Sequence, residues 1–268
     1  MIGIFDSGIG GLTVLKAIQH KLPQYQLMYL GDTARLPYGN RSQEAIYKFT
    51  TQALGFLFQQ GCGLVIVACN TASAEALRKI QREWLLKHYP DRKVLGVIIP
   101  LAEKAAELSR FGRVGVVGTR ATIKSDTYLK ELRKLEPDIE VYAVATPILV
   151  PLVEEGMINR PETSKIIRNY VRELKNKKVD TLILGCTHYP LLYQQFKKIM
   201  GKSCNVLDAP RIIADSLADY LVRHPDIESK LTKGGNHKYF VTDVTDTFEA
   251  NAVKWLGHKI VLEKVTLQ

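Results

Sequence analysis

The sequence predicts an α/β fold made of two similar halves. Short apolar runs rich in β-branched residues alternate with amphipathic segments of helical period along the 268 residues. This alternation is typical of βαβ units, in which helices cover both faces of a mostly parallel sheet. Four landmarks then recur in the same order at an offset of about 112 to 117 residues, which indicates an internal duplication. We therefore expect two α/β domains with mostly parallel sheets, related by a pseudo-twofold axis.

The first half is expected to hold four strands and three helices. Each apolar run ends in small or polar residues, and a segment with one apolar face follows most of them. The predicted strands cover residues 2–5, 27–30, 64–68 and 94–98. The predicted helices cover residues 12–21, 43–60 and 74–88.

The second half repeats these landmarks. The matched pairs are residues 114–119 with 2–7, residues 141–146 with 28–33, residues 206–207 with 94–95, and Cys186 with Cys69. Segments that match in order and in spacing indicate that each landmark has an equivalent place in both halves.

The end of the chain is expected to complete the first half, whose core would otherwise be the smaller one. Its predicted elements are a helix over residues 212–222, a strand over 238–241, a helix over 245–256 and a strand over 259–263. The predicted domains are therefore residues 1–96 with 209–268, which carry Cys69, and residues 97–208, which carry Cys186.

The composition argues against several classes of protein. No run reaches the ~20 apolar residues of a membrane span, and the first residues do not resemble a signal peptide. Four cysteines without a Cys-x-x-Cys pair predict neither a zinc site nor a disulfide scaffold, and they indicate a reducing cytoplasm. The net charge is +10, but the basic residues are scattered without interleaved aromatic residues. This scatter indicates solvated helix faces rather than a nucleic-acid site, and the charge is also compatible with an anionic small substrate.

Two cysteines carry the strongest chemical signal. Cys69 and Cys186 each follow an apolar strand directly, and a small polar cluster follows each of them. We expect each cysteine to begin a helix, where the exposed NH groups and the dipole lower the pKa of a thiol. If the two halves face each other, the thiols approach one small molecule from opposite sides. That arrangement suits removal of a proton from one face of a carbon and return of a proton to the other.

Further polar residues follow other strands. Because ligands of open parallel sheets lie beyond the carboxyl ends of the strands, we expect these residues beside the cysteines. The glycine-rich loop after Asp6 can turn its NH groups toward an anion, although it lacks the dinucleotide-binding pattern. His188 can exchange a proton with a thiol or with a substrate amino group. Glu154 lies in the second half at the place that matches the polar loop of residues 32–39 in the first half. A cysteine-protease dyad of Cys186 and His188 would leave Cys69 unexplained.

These motifs together resemble the cofactor-independent aspartate/glutamate racemases. The resemblance extends from residue 2 to about residue 214, and the rest of the chain carries little of it. Its carriers are residues 6–13, 31–39, 68–73, 117–119, 151–154 and 185–191.

The resemblance implies an active site in the cleft between two α/β domains, with no pyridoxal cofactor and no metal. It implies conversion of L-glutamate to D-glutamate, with Cys69 acting on the D enantiomer and Cys186 on the L enantiomer from opposite faces of Cα. Asp6 would assist Cys69, whereas His188 and Glu154 would assist Cys186. The product would supply peptidoglycan synthesis in the cytoplasm.

The resemblance also implies which residues hold the carboxylates and the amino group of the substrate. They are Asp6, Ser7, Pro37, Tyr38, Gly39, Asn70, Thr71, Thr119, Thr187 and His188. The family resemblance is also compatible with a homodimer. Two alternatives stay open: the same fold acting on aspartate or a hydantoin, and a basic nucleic-acid-binding protein on the same scaffold.

Overall fold

The computed structural model describes residues 1–267, which form two parallel β-sheets covered by helices. The strands in this part of the chain are β1 (Ile2–Asp6), β2 (Leu27–Gly31), β3 (Leu64–Val67), β4 (Lys93–Gly96), β5 (Arg113–Gly118), β6 (Glu140–Ala145), β7 (Thr181–Gly185), β8 (Asn205–Val206), β9 (Lys238–Val241) and β10 (Leu262–Lys264). The central strands β1, β2, β3 and β7 are buried along their whole length, as expected for sheets covered on both faces.

The order of the strands confirms the predicted duplication. One sheet has the order β10-β9-β2-β1-β3-β4 and the other has the order β6-β5-β7-β8. All strand pairs are parallel. The run β2-β1-β3-β4 is therefore repeated by β6-β5-β7-β8, and β9 and β10 extend the first sheet beside β2. The domain boundaries near residues 97 and 209 stay a prediction.

Helices connect the strands and cover the sheets. Within residues 1–267 the α-helices are α1 (Leu12–Lys21), α2 (Gln43–Gln59), α3 (Asn70–Glu75), α4 (Leu77–Lys79), α5 (Leu85–His88), α6 (Ile98–Leu108), α7 (Arg120–Lys124), α8 (Thr127–Leu135), α9 (Leu149–Glu154), α10 (Pro161–Asn176), α11 (Tyr193–Met200), α12 (Ala209–Arg223), α13 (Pro225–Glu228) and α14 (Asp246–Leu256). Short 3₁₀ turns cover Thr33–Arg35, Tyr38–Asn40 and Tyr189–Leu192, and a π-helical turn covers Ile80–Trp84.

Several predicted element bounds were wrong. The helix expected over residues 212–222 begins at Ala209, because the Asp208 side chain accepts a hydrogen bond from the NH of Arg211 and caps it. The helix expected from residue 74 begins at Asn70, because the Cys69 side chain accepts a hydrogen bond from the NH of Ala72 and so caps the helix four residues earlier. The strand expected over residues 94–98 ends at Gly96, since Pro100 fits the first turn of a helix, where its missing NH needs no partner. The last strand is Leu262–Lys264 rather than residues 259–263, because β10 takes its register from β9.

The carboxyl ends of the central strands determine where the site lies. β1 and β3 lead into Ser7 and Cys69 in the first half, while β5 and β7 lead into Thr119 and Cys186 in the second. The polar residues that follow these strands therefore come from equivalent positions of the two sheets, as the duplication predicted.

Candidate active site

One cavity of about 310 Å³ lies where the loops of the two halves meet. Its volume is within the range of small-molecule sites. It is lined by both halves, and the lining includes every predicted site residue except Asp6: Ser7, Pro37, Tyr38, Gly39, Cys69, Asn70, Thr71, Thr119, Glu154, Cys186, Thr187 and His188.

Cys69 caps helix α3 as expected, but its thiol has the opposite pKa shift. The Sγ atom accepts a hydrogen bond from the NH of Ala72 at 3.5 Å and donates one to the Oγ atom of Ser7 at 3.3 Å. Burial, and then the negative charge of Asp6, raise the pKa of Cys69 to about 12, although the bonds to Ser7 and Ala72 act against the shift. The predicted lowering of this pKa is therefore wrong, because the loss of hydration outweighs the helix terminus.

Cys186 does not begin an α-helix, which corrects a second expectation. It follows β7, but α11 begins only at Tyr193, and the intervening residues form a 3₁₀ turn. Pro190 disfavours α-helical geometry at the residue before it, which explains the delay. Instead of a helix terminus, Cys186 has His188, whose Nδ1 atom lies 3.8 Å from the Cys186 Sγ atom.

His188 connects Cys186 to a carboxylate. Its Nε2 atom lies 3.0 Å from Oε1 of Glu154. Burial alone would lower the pKa of His188, but hydrogen bonds to Cys186 and Glu154 and the negative charges of both groups raise it to about 10. The imidazole can thus carry a proton between the thiol and the carboxylate, which is the arrangement of a general acid–base relay.

Asp6 is fully buried and does not line the cavity. Its Oδ2 atom accepts a hydrogen bond from the NH of Gly8 at 3.0 Å, and its Oδ1 atom accepts one from Oγ1 of Thr187 at 3.2 Å. Burial raises the pKa of Asp6, while the charge of His188 and these hydrogen bonds oppose the rise. The carboxylate therefore joins the loop after β1 to the loop after β7, and this placement favours an indirect role over contact with a substrate.

The loop of Pro37, Tyr38 and Gly39 is held from behind by Asp32, which is fully buried. The Tyr38 hydroxyl donates a hydrogen bond to Oδ2 of Asp32. On the same carboxylate, Oδ2 accepts from Nε of Arg35 at 2.7 Å and Oδ1 accepts from Oγ1 of Thr242 at 2.9 Å. Sequence reasoning identified the loop but missed Thr242, because only the sheet brings the end of the chain to this position.

Three threonine hydroxyls meet between the two halves. Thr71 Oγ1 lies 2.9 Å from Thr119 Oγ1 and 3.2 Å from Thr122 Oγ1, and the last two are 3.0 Å apart. Thr71 and Thr119 line the cavity, whereas Thr122 lies behind them. The sequence analysis did not identify Thr122. Its signal in the sequence is its position three residues after Thr119, since the side chain of a residue that caps a helix accepts a hydrogen bond from the NH at that position.

Several lining residues were not among the predicted site residues. They are Leu36, Asn40, Arg120, Pro147, Val150 and Pro151. Arg120 is exposed and follows Thr119, so a cation beside the predicted carboxylate-binding residues was the signal that could have found it.

The end of the chain packs behind the site. The Trp255 ring meets the His188 ring edge-on, with 6.0 Å between the ring centroids, and Asn251 Nδ2 donates a hydrogen bond to the Glu154 carbonyl at 3.0 Å.

Residues 1–267 contain neither a cluster suited to a metal ion nor a helix suited to span a membrane. No group of three or more His, Cys, Asp or Glu side chains in this part of the chain is arranged to hold a metal ion. No helix among the same residues combines the length and the apolar composition that crossing a membrane requires.

Residues 12–217 match the family model described as Asp/Glu/Hydantoin racemase. The chain belongs to this family. It is 42% identical over 259 residues to a glutamate racemase of Geobacter metallireducens, with 97% of this chain and 93% of the relative covered. The membership makes the chain an amino-acid racemase, and therefore an isomerase.

Solved structures agree with this assignment over the whole fold. The glutamate racemase isoform RacE1 of Bacillus anthracis superposes with a TM-score of 0.91 at 35% identity, covering 100% of this chain and 97% of that one. The glutamate racemase of Francisella tularensis, in complex with D-glutamate, superposes with a TM-score of 0.88 at 33% identity, covering 99% and 97%. The predicted arrangement of two α/β domains is thereby confirmed.

Proposed function

We propose that this racemase interconverts L- and D-glutamate by a two-thiol acid–base mechanism at Cα. The observation that carries the proposal is that Cys69 and Cys186, at equivalent places of the two halves, line the same cavity. Relatives that match along almost the whole chain are named glutamate racemases, and one related structure holds D-glutamate. We infer that the substrate lies between the two thiols, with one on each face of its Cα.

The proposed reaction moves one proton in and one proton out. The thiolate of one cysteine removes the Cα proton, and the electron pair of the broken C–H bond delocalises into the adjacent carboxylate. The thiol of the other cysteine then donates its proton to the opposite face of the planar carbon. Because negative charge accumulates on the carboxylate, hydrogen-bond donors such as Asn70, Thr71 and Thr187 would stabilise the transition state. After one turnover the two cysteines have exchanged protonation states.

The two thiols would be assisted in different ways. Cys186 can pass its proton to His188, which Glu154 holds at 3.0 Å. Cys69 has no imidazole; it bonds to the Ser7 hydroxyl and to the NH of Ala72, close to the buried Asp6. We propose that Cys69 reacts with the D enantiomer and Cys186 with the L enantiomer, as the family resemblance implies.

We infer that the product, D-glutamate, supplies peptidoglycan synthesis. The enzyme would then work in the cytoplasm. The supporting observation is the family membership over residues 12–217. The homodimer stays a prediction, and light scattering of the purified chain tests it.

The test of the proposed activity is incubation with L-glutamate in deuterated water. Mass spectrometry follows deuterium at Cα while circular dichroism follows the loss of optical activity. We expect uptake of deuterium together with loss of the signal, and the same result from D-glutamate. The same assay with both enantiomers of aspartate and with a hydantoin tests the alternative substrates. Faster conversion of either alternative, or no change with glutamate, would overturn the proposal.

Removal of either thiol should abolish racemisation. We expect Cys69→Ala and Cys186→Ala to lower kcat by about 10³-fold or more, since each loses one of the two proton-transfer groups. Cys204→Ala is the matched control, because Cys204 is a buried thiol outside the cavity and its loss should leave kcat unchanged. Full racemisation by either single variant would contradict the assignment of two bases.

A further inference from the structure

Tyr128 joins the second half of the molecule to a residue of the substrate cavity in the first half. It lies on α8, is only 3% exposed and does not line the cavity. Its hydroxyl donates a hydrogen bond to Oδ1 of Asn70 at 2.6 Å. Asn70 lines the cavity and follows Cys69 directly. Because Tyr128 does not line the cavity, it can act on the cavity indirectly, through Asn70.

This hydrogen bond determines which end of the Asn70 amide is free. Asparagine has an oxygen that accepts and a nitrogen that donates, and the two ends exchange when the amide turns over. The Tyr128 hydroxyl occupies the oxygen, and Nδ2 of Asn70 donates no hydrogen bond to another side chain or carbonyl within residues 1–267. The amide thus offers two N–H donors to the cavity, which suits a carboxylate. The opposite orientation would present an oxygen to the carboxylate and repel it.

Tyr128 is suited to remain a donor. Burial, and then the nearby charge of Cys186, raise its pKa well above the ordinary value of a tyrosine. The phenol is therefore protonated over the whole range in which enzymes work. A neutral phenol can donate or accept, but within residues 1–267 the Tyr128 hydroxyl has no acceptor other than Oδ1 of Asn70, so its hydrogen is satisfied only in this orientation of the amide. Because the phenol stays neutral, it does not take up or release a proton when Cys186 does.

Helix α8 is itself held on the first half. Oγ1 of Thr127 donates to the carbonyl of Ala74 at 3.1 Å, and Glu131 pairs with Arg78 at 2.7 Å. On the other side, a Cβ atom placed on Gly185 would come within 3.2 Å of the Tyr128 ring, so the ring lies close against the end of β7. The contacts of α8 with the first half and of the Tyr128 ring with the end of β7 therefore keep the hydroxyl directed at Asn70.

We propose that Tyr128 is a positioning residue that holds the Asn70 amide with its N–H groups toward a carboxylate of the substrate. The proposal rests on the proposed racemisation of glutamate, and it assigns the orientation of Asn70 to a residue of the opposite half. The affinity for both enantiomers then depends on the contact between α8 and α3.

The test is Tyr128→Phe, which removes the hydroxyl and keeps the ring. We expect kcat/KM to fall about tenfold for both L- and D-glutamate, mostly through KM, which corresponds to about 1.4 kcal/mol. Tyr142→Phe is the matched control, because the Tyr142 hydroxyl bonds to Glu140 on the partly exposed strand β6 and Tyr142 does not line the cavity. An unchanged KM in Tyr128→Phe would overturn the proposal.

A double-mutant comparison separates positioning from general stability. In an Asn70→Ala background, Tyr128→Phe should change kcat/KM by less than about twofold, since the residue through which it acts is gone. An equal tenfold loss in both backgrounds would show that Tyr128 acts by another route and would overturn the proposal. If the wild type and Tyr142→Phe convert no glutamate, the proposed function fails instead.

A measurement without substrate distinguishes failure of the positioning role of Tyr128 from failure of the proposed racemisation. The side-chain amide of Asn70 gives a pair of NMR resonances that the Asn70→Ala variant identifies by their loss. We expect one pair in the wild type and either exchange broadening or two pairs in Tyr128→Phe, because the amide is free to turn over. A single unshifted pair in Tyr128→Phe would contradict the proposal whatever the substrate is.

Discussion

The two thiols of the cavity are chemically different although they occupy equivalent places. Cys69 is buried near Asp6, and burial followed by that charge raises its pKa to about 12. Cys186 lies 3.8 Å from the imidazole of His188, which in turn bonds to Glu154. A duplicated scaffold therefore places one thiol near a buried carboxylate and the other beside a proton relay. This difference suits a pocket that must hold two enantiomers without being symmetric itself.

The raised pKa of Cys69 predicts how this thiol reacts with iodoacetamide. Only the thiolate reacts, and below the pKa its fraction grows about tenfold for each pH unit. We expect the alkylation rate of Cys69, followed by mass spectrometry of its peptide, to keep rising at this slope from about pH 7 to 10. Glutathione is the control and should level off near its own pKa of about 8.5–9. Levelling off of Cys69 at pH 8 would contradict a pKa of about 12.

At the scale of the elements, the loop between β1 and α1 lies directly against the loop that follows β7. A Cβ atom on Gly10 would lie 2.3 Å from Oγ1 of Thr187 and 2.7 Å from Nδ1 of His188. Oγ1 of Thr13 also donates to the Thr187 carbonyl at 3.1 Å. The glycine at position 10 is therefore required by close approach of the two halves rather than by an unusual backbone angle.

Gly10→Ala should displace the proton relay without unfolding the chain. The methyl group must push Thr187 and His188 aside, and a shift of about 1 Å at reacting groups can cost about 100-fold in rate. We expect kcat/KM for glutamate to fall by about this factor while circular dichroism shows a folded protein. Gly235→Ala is the matched control, since a Cβ atom there meets no other atom within 4 Å. Equal activity of the two variants would show that the loops can separate at no cost.

At the scale of the whole molecule, the end of the chain supports the site from behind. Strand β9 pairs with β2, and the residues after both strands interlock. Oγ1 of Thr33 donates to the Asp243 carbonyl at 2.6 Å, and Oγ1 of Thr242 donates to Asp32 at 2.9 Å. The loop of Tyr38 is thus held by a segment about 200 residues away in sequence, which reaches it because β9 lies beside β2 in the sheet.

Thr242→Val should loosen this support. Valine keeps the shape of the side chain but leaves Oδ1 of the buried Asp32 without its threonine donor. We expect the free energy of unfolding to fall by about 1–3 kcal/mol, measured by urea denaturation, and KM for glutamate to rise. Thr242→Ser retains the hydroxyl and should restore most of both quantities. Unchanged stability in Thr242→Val would show that the hydrogen bond to Asp32 contributes little and would contradict the prediction.

Much of the fold could be predicted from local patterns. Helix α1 and strand β9 have the predicted bounds, since one apolar face and one buried apolar run are properties of neighbouring residues. Much of the cavity lining consists of residues that the sequence had singled out, partly because residues after parallel strands gather at one edge of each sheet and partly because the family resemblance implies them. The bounds near Asn70 and Ile98 were missed, since capping and proline placement compete with apolar pattern at the ends of elements.

The sequence by itself determined the two α/β halves, their duplication and the paired cysteines, because periodicity and spacing depend only on the order of the residues. Only the tertiary structure decided the raised pKa of Cys69, the buried place of Asp6 and the contacts of Tyr128 and Thr242. The physical reason is that hydration, electrostatic interaction and hydrogen bonding depend on distance in space. Residues that are far apart in the sequence acquire those distances only when the two halves come together.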